Sequence, residues 1–167
     1  MLKKLSSYQK KSILYAIIIV VGIVLDQLTK WLAVVNLKPI YDFPLIKGVL
    51  HFTYTENRGA AFGMLSDSRW VFMLFSTVMI IAMGIYLFYP KKQSDIFFCI
   101  GAAMVVSGGI GNMIDRVALG YVVDFINVEL INFAIFNVAD CFVCVGAGIM
   151  VLALILEIIK EAKEKKQ

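Results

Sequence analysis

The sequence predicts an all-α membrane bundle of four transmembrane helices, with a small β-sheet and loops on the outer membrane surface. Three observations predict it. Hydrophobic residues fill 60% of the 167 positions and charged residues only 17%, with a mean hydropathy of +0.84, whereas soluble domains carry about 25% charge. Four apolar runs are long enough to cross about 30 Å of hydrocarbon, which takes roughly 20 helical residues. The lysines gather at the ends of those runs instead of coating a surface. A single integral membrane domain, 1–167, is expected from the length.

The first run, about 13–35, follows Lys3, Lys4, Lys10 and Lys11. It is too long for the core of a cleavable signal and no small-x-small site follows it, so it reads as a span. It continues through Asp26-Gln27-Leu28-Thr29-Lys30 into Trp31 and Leu32. The second run, about 70–89, carries no charge, and the third, about 96–114, lies between Asp95 and Asp115. The fourth, about 138–159, has Asp140 near its start and Glu157 near its end, and the Lys/Glu-rich tail 160–167 is expected to fray. Between the spans lie two longer loops, about 36–69 and 115–137. Within them, 49–55 and 121–127 are aromatic and β-branched, which suits strands.

Charge sets the orientation. The N-terminal tail, the short loop 90–95 and the C-terminal tail together hold ten lysines, against five basic residues (Lys38, Lys47, Arg58, Arg69, Arg116) in the two long loops. The lysine-rich side is cytoplasmic, so both termini lie inside and the long loops face outward. The net charge of +4 is therefore a topology signal. No basic-aromatic face or motif points to nucleic acid, and a monomer is expected.

Charge near a bilayer is costly, so each polar residue there needs a reason. Asp26, Lys30, Asn57, Asn112, Arg116, Asp124 and Asp140, with Asn137, all fall at the outer ends of the spans. Asp26 and Lys30, four apart, read as a structural polar pair on the face that carries Gly22. In the third span Gly101, Val105, Gly108, Gly109 and Asn112 recur at helical spacing, and small residues let a neighbouring backbone approach. Arg116 has two readings: snorkelling or pairing with an acid, or binding a carboxylate or lipid phosphate.

Asn137 suits an N-cap, with Asp140 at the third helical position. Capping alone would explain both residues. In the functional reading, the positive helix end keeps Asp140 ionised, while Asp124, between Val123 and Phe125, tends toward the protonated form. Two carboxylates pushed apart in this way suit a dyad in which one activates water and the other protonates a carbonyl oxygen.

Other chemistries find less support. His51 is the only histidine; no nucleophile pairs with it in sequence, and it reads as a surface or packing residue. Metal binding would need more than scattered acids and one histidine, so no metal or organic cofactor is expected. Cys141-x-x-Cys144 could belong to a quinone-linked thiol relay, but such a relay needs a second pair and only Cys99 remains. All three cysteines are expected to be packing residues. A transporter would place its acids nearer the midplane, and a non-catalytic scaffold would tolerate loss of either aspartate.

Five segments in order resemble the motifs of the lipoprotein signal peptidases (signal peptidase II). They are Asp26-Gln27-Leu28-Thr29-Lys30, Asn57-Arg58-Gly59-Ala60-Ala61-Phe62-Gly63, Gly111-Asn112-Met113-Ile114-Asp115-Arg116, Val122-Val123-Asp124-Phe125 and Phe136-Asn137-Val138-Ala139-Asp140. The resemblance implies an intramembrane aspartic endopeptidase of the bacterial cytoplasmic membrane, with Asp124 and Asp140 catalytic. Asn57, Asn112, Arg116 and Asn137 would bind substrate. The substrate would be a diacylglyceryl-modified prolipoprotein, cut just before the lipidated cysteine. Membrane lipids would be partners, and globomycin-type cyclic peptides inhibitors. Two departures stand out: Ser107-Gly108-Gly109 where the family usually has Gly-Gly-Ala, and Ala134 where it often has proline.

Overall fold

The computed structural model describes residues 5–59, 69–89 and 95–165. Four helices and three strands follow in the order α1 (Ser7–Asn36), β1 (Asp42–Ile46), β2 (Leu50–Asn57), α2 (Arg69–Phe88), α3 (Ile96–Ala118), β3 (Val122–Asn127) and α4 (Val138–Glu164). A single 3-10 turn, Glu129–Ile131, lies between β3 and α4. The expectations for Lys3, Lys4, Lys91, Lys92, Lys166 and residues 60–63 fall outside the described residues.

Three helices, α1, α3 and α4, are long and apolar enough to cross a membrane; the apolar stretch of α2, Met73–Phe88, is shorter. The helices outrun the apolar runs at several ends. α1 begins at Ser7, where Ser6 and Gln9 form a capping box, and α4 continues to Glu164 instead of fraying at 160. Lysine and glutamate are good helix formers, so leaving the apolar zone does not end a helix.

α3 is the central helix: half of its apolar window is buried, against 17% for α1 and 11% for α4. Small residues make this possible. A Cβ on Gly101 would lie 2.5 Å from the Gly146 carbonyl oxygen of α4, and one on Gly108 would collide with the Ala139 carbonyl oxygen. On the opposite side Ser107 donates to the Ile19 carbonyl of α1 (3.2 Å), where Gly22 has no side chain to obstruct it. Gly109, expected on one face with Gly101 and Gly108, does not share their contact with α4; it faces Ile80 of α2. The departure at Ser107 thus fits beside Gly22 and adds a hydrogen bond across α1 and α3.

The strands form one antiparallel sheet in the order β1-β2-β3. Asp124 of β3 stands opposite Thr55 of β2, and Phe136 makes an isolated bridge to Ile126. Tyr54, Val123 and Phe125 pack against Ala33 near the end of α1, which seats the sheet at the same end of the bundle as the polar residues. β2 and β3 match the two predicted strands. β1 carried no such signal: it contains Pro44 and every position is exposed, so no inside-outside alternation marks it, and only pairing with β2 defines it.

Candidate active site

Five elements meet at the sheet end of the bundle. β3 holds Asp124 in its middle, 2% exposed, among buried Val122, Val123 and Phe125. The end of β2 supplies Asn57, the N-terminus of α4 supplies Asn137 and Asp140, the last turns of α3 supply Asn112, Asp115 and Arg116, and α1 supplies Asp26, Gln27 and Lys30. Asn137 caps α4 in extended conformation, and a capping box forms with Asp140. Asp140 N–H donates to Asn137 Oδ1 (3.0 Å), and Asn137 N–H donates to Asp140 Oδ2 (3.1 Å).

That cap also orients the groups around the two aspartates. With its oxygen committed to the helix end, Asn137 turns its amide nitrogen outward as a donor. Nδ2 donates to Asp124 Oδ1 (2.6 Å) and to Asn112 Oδ1 (3.0 Å). Asn112 is oriented by the same logic. Lys30 has donors only, and its Nζ meets Asn112 Oδ1 at 2.8 Å, so Asn112 Nδ2 faces Asp140 Oδ1 and donates to it at 2.8 Å. Asn57 accepts from Gly59 N–H (3.0 Å) and donates to Asp124 Oδ2 (2.9 Å). Both oxygens of each aspartate therefore receive an N–H, and the two carboxyl groups are linked through Asn137 and Asn112.

Burial, opposed in part by the Asn57 hydrogen bond and reinforced by the charge of Asp140, pushes the Asp124 carboxyl up to about 6. Such a carboxyl can hold or release a proton near neutral pH, as an acid-base group must.

Beneath the two aspartates lies a buried ionic network larger than the expected Asp26–Lys30 pair. Lys30 bridges Asp26 (2.9 Å) and Asp115 (3.1 Å), with all three side chains at most 4% exposed. Gln27 donates to Asp26 (3.2 Å), to Asp115 (3.0 Å) and to the Gly111 carbonyl (3.2 Å). Both acids also hold backbone: Asp26 Oδ1 accepts from Ala139 N–H in α4, and Asp115 Oδ2, the oxygen that meets Lys30, accepts from Val123 N–H in β3, both at 3.0 Å. Gln27 and Asp115 were not singled out from sequence. The available signal was their position, beside Asp26 and one turn after Asn112, which places them on the faces already argued to converge.

A cavity of about 530 Å³ opens onto the site, with Asn57, Arg116, Asp124 and Asp140 on one side and Phe133 to Phe136 on another. Arg116 makes one long hydrogen bond, to the Asn112 carbonyl (3.4 Å), and no ion pair among the described residues. Of its two sequence readings, pairing with an acid is not what the structure adopts, and its guanidinium is available to the cavity. The cysteine expectation holds only for Cys99, which is fully buried. Cys141 is half-buried and Cys144 exposed, and both line the cavity, because the first turns of α4 turn one face to the site instead of to α3. Among the described residues no three His, Cys, Asp or Glu side chains converge as metal ligands would.

Comparison with known proteins bears on this arrangement. Residues 18–156 match the family model described as signal peptidase (SPase) II. The chain is 41% identical over 154 residues to a lipoprotein signal peptidase of Halalkalibacterium halodurans, covering 91% of this chain and 98% of that one. It is 49% identical over 138 residues to a lipoprotein signal peptidase of Caldanaerobacter subterraneus subsp. tengcongensis, covering 81% and 92% respectively. A bacterial membrane enzyme solved by the in meso method at 2.3 Å superposes with a TM-score of 0.76 at 32% identity, covering 92% of each chain.

Proposed function

The chain belongs to the signal peptidase II family, a peptidase family of bacterial membranes, and from that premise we propose an intramembrane aspartic endopeptidase with Asp124 and Asp140 as its catalytic pair. It removes the signal peptide from diacylglyceryl-modified prolipoproteins by cutting just before the lipidated cysteine. One observation carries the reading: two carboxyl groups on different elements border one cavity and are joined through the Asn137 and Asn112 amides.

Asp140, as carboxylate, takes a proton from water while the water oxygen bonds to the scissile carbonyl carbon. Asp124, as the acid, donates its proton to the carbonyl oxygen, giving a neutral tetrahedral diol. On collapse the carbon–nitrogen bond breaks, the leaving amine nitrogen takes the proton from Asp140, and a diol hydroxyl returns one to Asp124. Asn57 and Asn137 hold Asp124 in place, Asn112 holds Asp140, and Arg116 and the asparagines bind the substrate. Asp26 and Lys30 are structural. No metal or organic cofactor takes part.

The whole chain, 1–167, acts as one integral membrane domain with four spans, α2 included. Both termini lie in the cytoplasm, as the lysine asymmetry supports, and the site faces outward. The substrate's acyl chains stay in the bilayer while its backbone rises to the aspartates. Globomycin-type cyclic peptides inhibit, and the protein works as a monomer. Purified protein should cleave a lipidated precursor, and its Asp124→Asn form should not. Equal cleavage by the two would overturn the proposal.

A further inference from the structure

His51 lies outside the catalytic network, yet its ring is held from both sides. Nδ1 is 3.0 Å from Asp42 Oδ2 of β1, and Nε2 is 2.7 Å from Glu129 Oε2 of the 3-10 turn, while the histidine side chain itself is only 13% exposed. The Gly48 N–H also points at Nε2, at 3.3 Å. Asp42 is fixed in turn, its second oxygen accepting from Thr53 at 2.5 Å. With a carboxylate within hydrogen-bond distance of each ring nitrogen, one side chain of the central strand ties β1 and the 3-10 turn to the sheet.

The turn matters because of where the chain goes next. After Asn127 it leaves β3, reverses at Asn132 in left-handed conformation (φ 49°), and returns to the sheet at Phe136, which exchanges hydrogen bonds with Ile126 (2.8 and 3.1 Å). Between these points Phe133, Ala134 and Ile135 form one wall of the cavity that holds Asp124 and Asp140. The backbone hydrogen bond from this stretch to the β1–β2 turn, Leu130 N–H to the Val49 carbonyl, is long at 3.4 Å. The His51–Glu129 contact, 2.7 Å to a carboxylate oxygen, is much shorter, which makes it the stronger fastening.

We propose that His51 is a positioning residue which, through Glu129, holds residues 128–135 as the wall of the substrate cavity. Its effect on turnover rests on the peptidase reading above; its effect on the wall does not. The dyad is braced by Asn57, Asn112 and Asn137, none of which touches His51, so losing the clasp weakens substrate binding and leaves the chemical step alone.

Two measurements test this on His51→Ala, Glu129→Ala and the double variant, each checked for folding by thermal unfolding in detergent. Glu129 is half exposed, so its variant carries the test should His51→Ala fail to fold. With a lipidated precursor, KM should rise roughly threefold to tenfold, the range of a partly exposed charge-assisted hydrogen bond, with kcat within about twofold. The double variant should match the singles. Separately, with Cys99, Cys141 and Cys144 replaced by Ala, an Ala134→Cys probe should react faster with a soluble thiol reagent when the clasp is cut. An unchanged reaction rate, independent effects that multiply in the double variant, or a fall in kcat at constant KM would each overturn the proposal. Failure of the unmodified chain to cleave lipidated precursor would instead sink the peptidase reading, leaving the Ala134→Cys probe to decide the clasp.

Discussion

Replacing Asp124 by Asn should abolish activity and at the same time change how stability depends on pH. The Asp124 carboxyl is pushed from its ordinary 3.8 up to about 6, chiefly by burial. The folded protein therefore binds this proton more tightly than the unfolded chain does. The stabilisation is fully present below 3.8, is lost as pH rises toward 6, and is absent above it. The interval from 3.8 to about 6, at about 1.4 kcal/mol per pH unit, comes to about 3 kcal/mol. Asparagine has no such proton. It does introduce a fixed cost, because Asn57 and Asn137 both donate to Asp124, and an amide at 124 leaves one donor facing another, at about 1–3 kcal/mol. That cost does not vary with pH, so the decisive quantity is the change with pH and not the absolute stability. Unfolding of the two proteins in detergent between pH 4 and pH 8 should show Asp124→Asn gaining about 2.5 kcal/mol relative to the unsubstituted protein, with most of the gain between pH 4 and pH 6. Parallel stability curves would refute the reasoning and remove the physical basis for Asp124 as the proton holder.

Asp124→Asn and Asp140→Asn should each lower kcat by orders of magnitude, and the double variant should lose little more, because the two act as a unit; the pH profile of cleavage should show two apparent values belonging to the pair. Lys30→Met leaves Asp26 and Asp115 buried without their cation, which should cost about 3–5 kcal/mol in detergent unfolding, and adding Asp26→Asn should restore part of it. A bulky thiol reagent should inhibit cleavage through Cys141 or Cys144, which line the cavity, and the Cys141→Ala/Cys144→Ala form should resist it; inhibition that persists in that form would place the reactive group elsewhere. Unlipidated precursor should be turned over far more slowly than lipidated precursor in the same assay, and equal rates would count against acyl chains held in the bilayer.

The buried network explains why so polar a set of residues survives at the end of an apolar bundle. Lys30 alone touches Asp26, Asp115 and Asn112, and the two acids hold backbone N–H groups of α4 and β3. Each ion is thus paired and hydrogen-bonded, the condition under which buried charge is tolerated. The same contacts fix the amide of Asn112, so the structural ions under the site also set the direction of the hydrogen bond that reaches Asp140.

By itself the sequence determined the helices, two of the three strands and the end of the bundle at which the polar residues gather. Long apolar runs have few structural solutions in a membrane, alternating aromatic and β-branched residues favour a strand, and costly polar residues at the ends of the spans need partners and so draw together. Asn137 as a cap was legible because capping is a local rule, complete within four residues. Tertiary structure alone decided the rest. β1 exists only through its pairing with β2. Asp115 and Gln27 became parts of the site only when α1 and α3 closed against each other around Lys30. Gly109 turned to α2 and Cys141 to the cavity because helical spacing says which residues share a face, but not which neighbour that face will meet. His51 found its two carboxylates 9 residues before and 78 residues after it in the chain, and contacts across such separations are set by the path of the folded chain, on which local sequence rules have no purchase.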